Sequence, residues 1–348
     1  MKKVNYLIVG YGLAGFAVHQ ALKEAKRSFH VIDAAKNSAS LVAGGLVNPI
    51  VLKKFNMSWK GEYWYEQAMQ VYQSFELNPF TPMPFLRPFK NKQEQNDWFM
   101  ACERPKAKAF LASELVKTLP KGLEAEHQAG QTQGTGLLNI AQLLQNQKKE
   151  LQQQKAYTAA EFDYQQLEIR EDGVQYANLK ADKLVFCEGA QIKNNPYFKD
   201  LPIVPNKGEY LIIHSPQLQL EQVVKAGYFI IPLGDNRYKV GATYARKFED
   251  EQPSASAKSE IIKKLNQIIN CDFEVVDQLA GVRPTLGDRK PVMGRHQEHE
   301  QLYVLNGFGS RGILYAPEMG RMLVAYSEKQ QSLPSELAIE RFYASLQP

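Results

Sequence analysis

The most restrictive feature of this chain lies within residues 4–33. Val4 to Val9 is an apolar β-type run, Gly10-Tyr11-Gly12-Leu13-Ala14-Gly15 follows at once, and Phe16 to Lys26 continues at helical spacing. Strand, glycine turn and helix in that order open a nucleotide-binding βαβ unit. Gly10 permits the tight turn, Gly12 lets a pyrophosphate approach the backbone, and Gly15 lets helix and strand pack closely. The helix N-terminus, with the N–H groups of Leu13 and Ala14, then faces the phosphates. A second β-type run, Phe29 to Ile32, ends in Asp33, 18 residues beyond Gly15, where a ribose-binding carboxylate belongs. Alone, the glycine pattern marks only a turn; with strand, helix and acid in place it reads as a dinucleotide fingerprint. An acid rather than an arginine argues against a cofactor with a 2′-phosphate, and it does not separate NAD from FAD.

Composition removes several other classes. With 348 residues, 44% hydrophobic and 23% charged, the chain has the make-up of a globular protein of one large or two ordinary domains. Its longest nearly unbroken apolar stretch, Tyr6 to Val18, has 13 residues and contains three glycines, which suits neither a membrane span nor a secretory signal. The cysteines are Cys102, Cys187 and Cys271, with no CxxC pair, and the six histidines form no ligand cluster. No disulfide framework and no metal are expected, and a reducing cytoplasm is the expected location. Net charge is +5, with six Lys/Arg against two Asp/Glu in residues 1–50 and eleven against seven in residues 51–122. That excess admits an anionic partner without selecting one.

The continuation of the chain narrows the cofactor. A nicotinamide domain would proceed through regular βαβ units after its second strand. Here Asp33 leads into Asn37-Ser38-Ala39-Ser40-Leu41-Val42-Ala43-Gly44-Gly45-Leu46-Val47-Asn48-Pro49, a small-residue loop that lets backbone pass close to a flat ligand and that, taken alone, is equally a plain turn. A buried-strand pattern at Lys183 to Cys187 runs into Glu188-Gly189-Ala190. Gly281-Val282-Arg283-Pro284-Thr285 continues through Asp288 to Pro291-Val292-Met293-Gly294. Leu302 to Leu305 then feeds Asn306-Gly307-Phe308-Gly309-Ser310-Arg311-Gly312 and a helical stretch from Ala316 to Tyr326.

Taken in order from Gly10 to Pro317, these segments resemble the FAD-dependent oxidoreductases of the D-amino-acid oxidase, glycine oxidase and sarcosine oxidase superfamily. Within it, Asn306 to Gly312 and Gly44 to Pro49 are most similar to the FAD-dependent C-terminal domain of bifunctional bacterial enzymes that modify the tRNA wobble uridine. The resemblance implies an α/β protein whose Rossmann-like FAD-binding domain is assembled from separated segments, with an inserted, mostly antiparallel α+β substrate domain. The expected division is 1–80, 136–203 and 277–348 for FAD and 81–135 and 204–276 for substrate. Local patterns agree with it. Residues 137–154 read as a helix with Asn139 and Gln142 as a capping pair, Leu137 on its apolar face and its glutamines in solvent. Tyr228 to Pro232 and Tyr238 to Tyr244 form a hairpin across Gly234-Asp235-Asn236, and Ser254 to Asn270 is an amphipathic helix.

The same resemblance assigns chemistry. A flavin accepts a hydride from the carbon beside an amine, and water hydrolyses the imine, so the protein need only bind, orient and desolvate. Arg283 matches the carboxylate-binding arginine of the family; the bland alternative is a surface arginine at a strand end. Cofactor contacts are expected from Gly10, Gly12, Leu13, Ala14, Gly15, Asp33, Ala43, Gly44, Gly45, Leu46, Gly189, Gly307, Gly309, Ser310, Arg311 and Gly312. Arg311 adds a cation beside a flavin carbonyl or pairs with a phosphate or protein carboxylate. Tyr244 and Tyr228 are pocket candidates against a core reading. Non-covalent FAD is expected, because no cysteine or histidine stands in the Arg283 to Asp288 loop or beside Gly44. The substrate is a small amine or amino acid, or the carboxymethylaminomethyl group of tRNA. For tRNA, Lys53, Lys54, Lys60, Arg87, Lys90, Lys92, Arg104, Lys106 and Lys108 are phosphate-contact candidates or a solvated face. The bifunctional enzymes also carry a methyltransferase domain, whereas this chain begins at its fingerprint; a separate methyltransferase would then act on the product. The competing classes are a flavin-binding redox sensor and a D-amino-acid dehydrogenase that reduces a quinone.

Overall fold

A computed structural model describes residues 1–36, 38–123 and 126–345; Asn37, at the head of the small-residue loop, lies outside them. By contact the chain forms two compact units, one of residues 1–41, 140–206 and 282–348 and one of residues 42–139 and 207–281.

The first unit is built on a parallel sheet. Its strands lie in the order Tyr157–Ala159, Phe29–Asp33, Lys2–Val9, Leu179–Phe186 and Leu302–Asn306, all parallel. The Lys2–Val9 strand pairs on both sides and reads Val-Asn-Tyr-Leu-Ile-Val after its lysines, the near-continuous apolar run that a doubly covered strand requires. Leu179–Phe186 is shared: its first half pairs antiparallel with Gly173–Tyr176, its second half parallel with Leu302–Asn306. Helices Leu13–Glu24 and Gly312–Ser327 pack on each other so closely that a Cβ at Gly320 would fall 2.3 Å from the Ala17 carbonyl oxygen. One core runs through Leu7, Ile32, Val174, Leu184, Phe186 and Val304.

The second unit is mostly antiparallel. Its seven-stranded sheet runs Glu274–Thr285, Val204–His214, Arg237–Gly241, Tyr228–Gly234, Val223–Ala226, Phe85–Pro88, Ala129–Gln131, with one parallel pair between Val223–Ala226 and Phe85–Pro88. Period-2 alternation divides its faces. Ile230 joins Leu211, Val240, Ile261 and Leu265 under helix Ala255–Leu265, while Ile231 joins Phe55, Phe85 and Trp98 under helix Lys92–Cys102. Trp98 lies flat on the backbone of Gly130, where a Cβ would be 2.4 Å from its ring.

The α/β class read from the sequence is therefore the observed one, with corrections of detail. Residues 42–80, 136–139 and 277–281 fold with the second unit rather than with the nucleotide segments, and 204–206 with the first; Leu46–Val47 and Phe80–Pro82 both pair with Gly136–Leu138, so these segments belong together. Leu137 is consequently in a strand, and the helix begins at Ile140. On that helix Gln147 is buried rather than solvated, bonded to Gln20 and Glu150.

Candidate active site

The register of the parallel sheet decides where the expected residues gather. Val9 is level with Ile32 on one side and Phe186 on the other, and Phe186 is level with Val304. Four chain segments thus leave the sheet at one carboxyl edge, where open α/β sheets bind ligands. They are the Gly10 turn, Asp33, Glu188-Gly189 and Asn306-Gly307.

Each turn is locked by backbone. Gly10 donates to the Ile32 carbonyl at 2.8 Å, has φ +90°, and would drive a Cβ to 2.6 Å from the Cys187 carbonyl oxygen. At Gly15 a Cβ would stand 2.0 Å from the Gly10 carbonyl oxygen, so only glycine lets the helix sit on its turn. Leu13 N–H donates to Ser40 Oγ at 3.1 Å, and Ala14 follows in the first helical turn, where N–H groups have no intrahelical acceptor. Asn306 ties two of the loops together: its Nδ2 donates to the Gly189 carbonyl at 2.9 Å and its Oδ1 accepts from Gly307 N–H at 2.7 Å. Gly189 has φ +57° and nothing within 4 Å of a Cβ position, so the edge is open there. Beside it, burial pushes the Glu188 carboxyl up to about 7 against the hydrogen bonds of Tyr164 and Asn195.

Two guanidiniums belong to the same unit. The strand that carries Arg283 is hydrogen-bonded to the last glycine turn, Gly309 N–H donating to the Pro284 carbonyl at 2.9 Å. Arg283 itself is half-buried and donates to Asn206 Oδ1 at 3.3 Å. Asn206 is 1% exposed and its Nδ2 has no hydrogen-bond partner among the described residues. Arg311 precedes helix Gly312–Ser327, and burial lowers its guanidinium from the ordinary value. Gly312 is buried against Leu13 and Phe308, whereas Ser310 is exposed.

The remaining candidates lie in the second unit. Ala43 accepts a hydrogen bond through its carbonyl from Lys239 Nζ at 3.1 Å. A Cβ at Gly44 would meet Ile231 at 2.7 Å and the Tyr210 hydroxyl at 3.2 Å; Gly45, at φ +70°, and Leu46 lead into the strand paired with Leu137. Lys239 is buried under this loop with its ammonium 4.8 Å from the Tyr210 ring centroid, and burial lowers it to about 8. Nothing in the local pattern around Lys239 marked it. Tyr244 stands beyond the hairpin strand and is 61% exposed. Tyr228 is core: its hydroxyl is held by Glu260 and Lys264 under the covering helix. Arg87 is likewise buried, bonded to Glu94 and to the Leu52 and Pro88 carbonyls, and so is not an available phosphate contact. The other eight cations of that set are exposed.

A sheet edge of glycine turns with a ribose-type acid fits a dinucleotide, and comparison with known proteins supplies the class. The family described as FAD dependent oxidoreductase matches residues 5–326, and the chain belongs to it. Among its relatives, the tRNA 5-methylaminomethyl-2-thiouridine biosynthesis bifunctional protein MnmC of Idiomarina loihiensis is 24% identical over 97% of this chain and 58% of that protein. Glycine oxidase of Bacillus licheniformis is 32% identical over 36% of this chain and 34% of its own length. The chain therefore spans only part of these relatives. Glycine oxidase from Geobacillus kaustophilus, a solved structure, shares the fold with a TM-score of 0.77 at 19% identity, over 95% of this chain and 96% of that one. No helix among the described residues is long and apolar enough to cross a membrane.

Proposed function

We propose that the chain oxidises the C–N bond of an amino acid or N-substituted glycine, with hydride transfer to non-covalently held FAD. One observation carries this reading: Arg283, the residue type that binds a carboxylate through two parallel bonds, stands on a strand hydrogen-bonded to the Gly307–Gly312 turn. Asn206 Oδ1 steadies the guanidinium. The N-terminus of the 16-residue helix Gly312–Ser327 and the Arg311 cation before it provide positive potential. Bound FAD supplies the two-electron acceptor for this chemistry, and the imine product is hydrolysed by water. Those residues of the cofactor set that belong to the first unit, from the Gly10–Gly15 turn, Asp33, Gly189 and the Gly307–Gly312 turn, serve FAD.

The substrate is further assigned as the carboxymethylaminomethyl group of tRNA wobble uridine, converted to aminomethyl. Likeness to the Idiomarina protein along 97% of the chain supports this, as does a basic cluster in the second unit. Lys225 is lowered to about 8 by burial and then by the charges of Arg87, Lys90, Lys53 and Lys264, of which Lys90 and Lys53 are exposed members of the candidate set.

The test is the visible flavin band of the purified protein under anaerobic conditions, with glycine, sarcosine, D-amino acids and modified tRNA added in turn. Bleaching by one class identifies the substrate, and bleaching by tRNA that weakens as salt rises supports the wobble-uridine assignment. Flavin that no amine bleaches favours a redox sensor, and reoxidation by a quinone but not by oxygen favours the dehydrogenase reading. Arg283→Ala is expected to keep its flavin and lose roughly 100-fold in kcat/KM for the carboxylate substrate. Unchanged turnover removes Arg283 from the site.

A further inference from the structure

The Asp33 carboxylate is held on three sides within the first unit. Its Oδ1 accepts from Tyr11 N–H at 3.0 Å, in the first glycine turn. Its Oδ2 accepts from Lys148 Nζ at 2.6 Å and from the Tyr157 hydroxyl at 2.8 Å. Lys148 comes from helix Ile140–Gln153 and Tyr157 from the edge strand of the parallel sheet, 115 and 124 residues away along the chain. The ion pair is largely shielded, with side-chain exposures of 22% and 14%. The Lys148 ammonium also lies 5.8 Å from the ring centroids of both Tyr11 and Tyr157.

These contacts leave a particular remainder. A carboxylate has about four lone-pair sites. Three are used here, and the unused one is on Oδ1, the oxygen tied to the turn that begins at Gly10. Lys148 and Tyr157 thus fix the carboxylate through the opposite oxygen. The ammonium also offsets the negative charge that Asp33 would otherwise present to an approaching pyrophosphate, an effect that is large only where water is partly excluded. Burial and the bond to Asp33 both raise the Tyr157 hydroxyl above its ordinary range, so it remains a donor at every working pH.

We propose that Lys148 is a positioning residue for the cofactor's adenosine ribose: with Tyr157 it orients and neutralises Asp33 so that Oδ1 accepts a ribose hydroxyl. The inference rests on the assignment of FAD and adds to it a residue outside the fingerprint. It makes a prediction restricted to one part of the cofactor. FMN lacks the adenosine ribose and cannot report on Lys148, whereas FAD and ADP both can.

The experiment titrates apoprotein with FAD, ADP and FMN, following flavin fluorescence and, for ADP, competition with FAD. Lys148→Met is expected to weaken FAD and ADP roughly tenfold and to leave FMN unchanged; Lys148→Arg should restore most of the loss. In an Asp33→Asn background Lys148→Met should cost nothing further, because the two act through one contact. Tyr157→Phe, which removes a single hydroxyl, should weaken FAD roughly threefold and provides the same reading if Lys148→Met fails to fold. Unchanged FAD affinity, an equal loss for FMN, or penalties that add with Asp33→Asn would overturn the proposal. If the unsubstituted protein takes up neither FAD nor ADP, the cofactor assignment itself falls and the inference with it.

Discussion

In the unit that begins at Met1 the sheet edge is shaped by backbone turned on glycine, with the Asp33, Glu188 and Asn306 side chains set among the turns; in the unit that begins at Val42 a lysine–glutamate pair is buried among side chains from several segments. The first unit turns the chain at Gly10, Gly189 and Gly307, each at positive φ, and fastens its turns through backbone, Gly10 N–H on the Ile32 carbonyl and Gly309 N–H on the Pro284 carbonyl. The second buries Lys207 and Glu209 side by side at 3.3 Å, with Ser254 and Gln278 completing the carboxylate's bonds, and buries Lys239 under Ala43. Backbone sites need glycine because the chain must come close to itself. Side-chain sites need partners from several strands, because a charge withdrawn from water must be compensated.

This contrast can be broken in order of effect. Glu209→Ala leaves the buried Lys207 ammonium with the exposed Asp250 carboxylate at 3.7 Å as its remaining ion-pair partner among the described residues, and is expected to cost about 3 kcal/mol of stability, read by denaturant unfolding. A cost under about 1 kcal/mol would mean that the buried pair is not what holds strand Val204–His214 to the Ser254 segment. Next, Gly15→Ala forces a methyl against the Gly10 carbonyl oxygen and is expected to cost about 3 kcal/mol with loss of FAD uptake. Retained flavin at full occupancy would contradict the packing role of that glycine.

Per pH unit, the smallest effects are those of titration. Burial lowers His19 to about 3, with the Lys23 charge second, and burial lowers Lys239 to about 8. Both are bases with depressed folded values, so the unfolded chain binds more protons and stability rises with pH in each window. The His19 contribution is complete above 6.5 and is lost as pH falls toward 3; the Lys239 contribution is complete above 10.5 and is lost as pH falls toward 8. Each slope is at most about 1.4 kcal/mol per pH unit. His19→Phe should make the acid limb shallower, with His30 still contributing to it, and Lys239→Met should make the alkaline limb shallower, with Lys225 still contributing to it. An acid limb of unchanged slope in His19→Phe, or an alkaline limb of unchanged slope in Lys239→Met, would refute the assignment.

The two regions also differ in how far they could be read in advance. The Gly10–Gly15 turn, Asp33 at its strand end and the Gly307–Gly312 turn before a helix were legible, because each is a run of neighbours whose conformation follows from residue type. Residues 42–80 and 136–139 are not legible as part of the second unit, since two- and three-residue strands such as Leu46–Val47 and Gly136–Leu138 leave no periodic trace. Tyr228 reads as pocket or core and Arg87 as phosphate contact or solvated face, because a tyrosine on a strand and an arginine in a basic run have the same local pattern whether buried or free. Their bonds to Glu260 and Glu94 come from the fold.

By itself the sequence determined where the chain must turn on glycine, which strand ends in an acid, and which helices carry an apolar stripe, because these depend on steric freedom and on periodicity over a few residues. Only the tertiary structure decided that Lys148 and Tyr157 meet Asp33, that Asn206 meets Arg283, and that Lys239 is buried beneath Ala43. Those contacts join residues with no common local pattern, and they exist because sheet register and helix packing bring distant charges to within hydrogen-bonding distance, where burial requires that each find a partner.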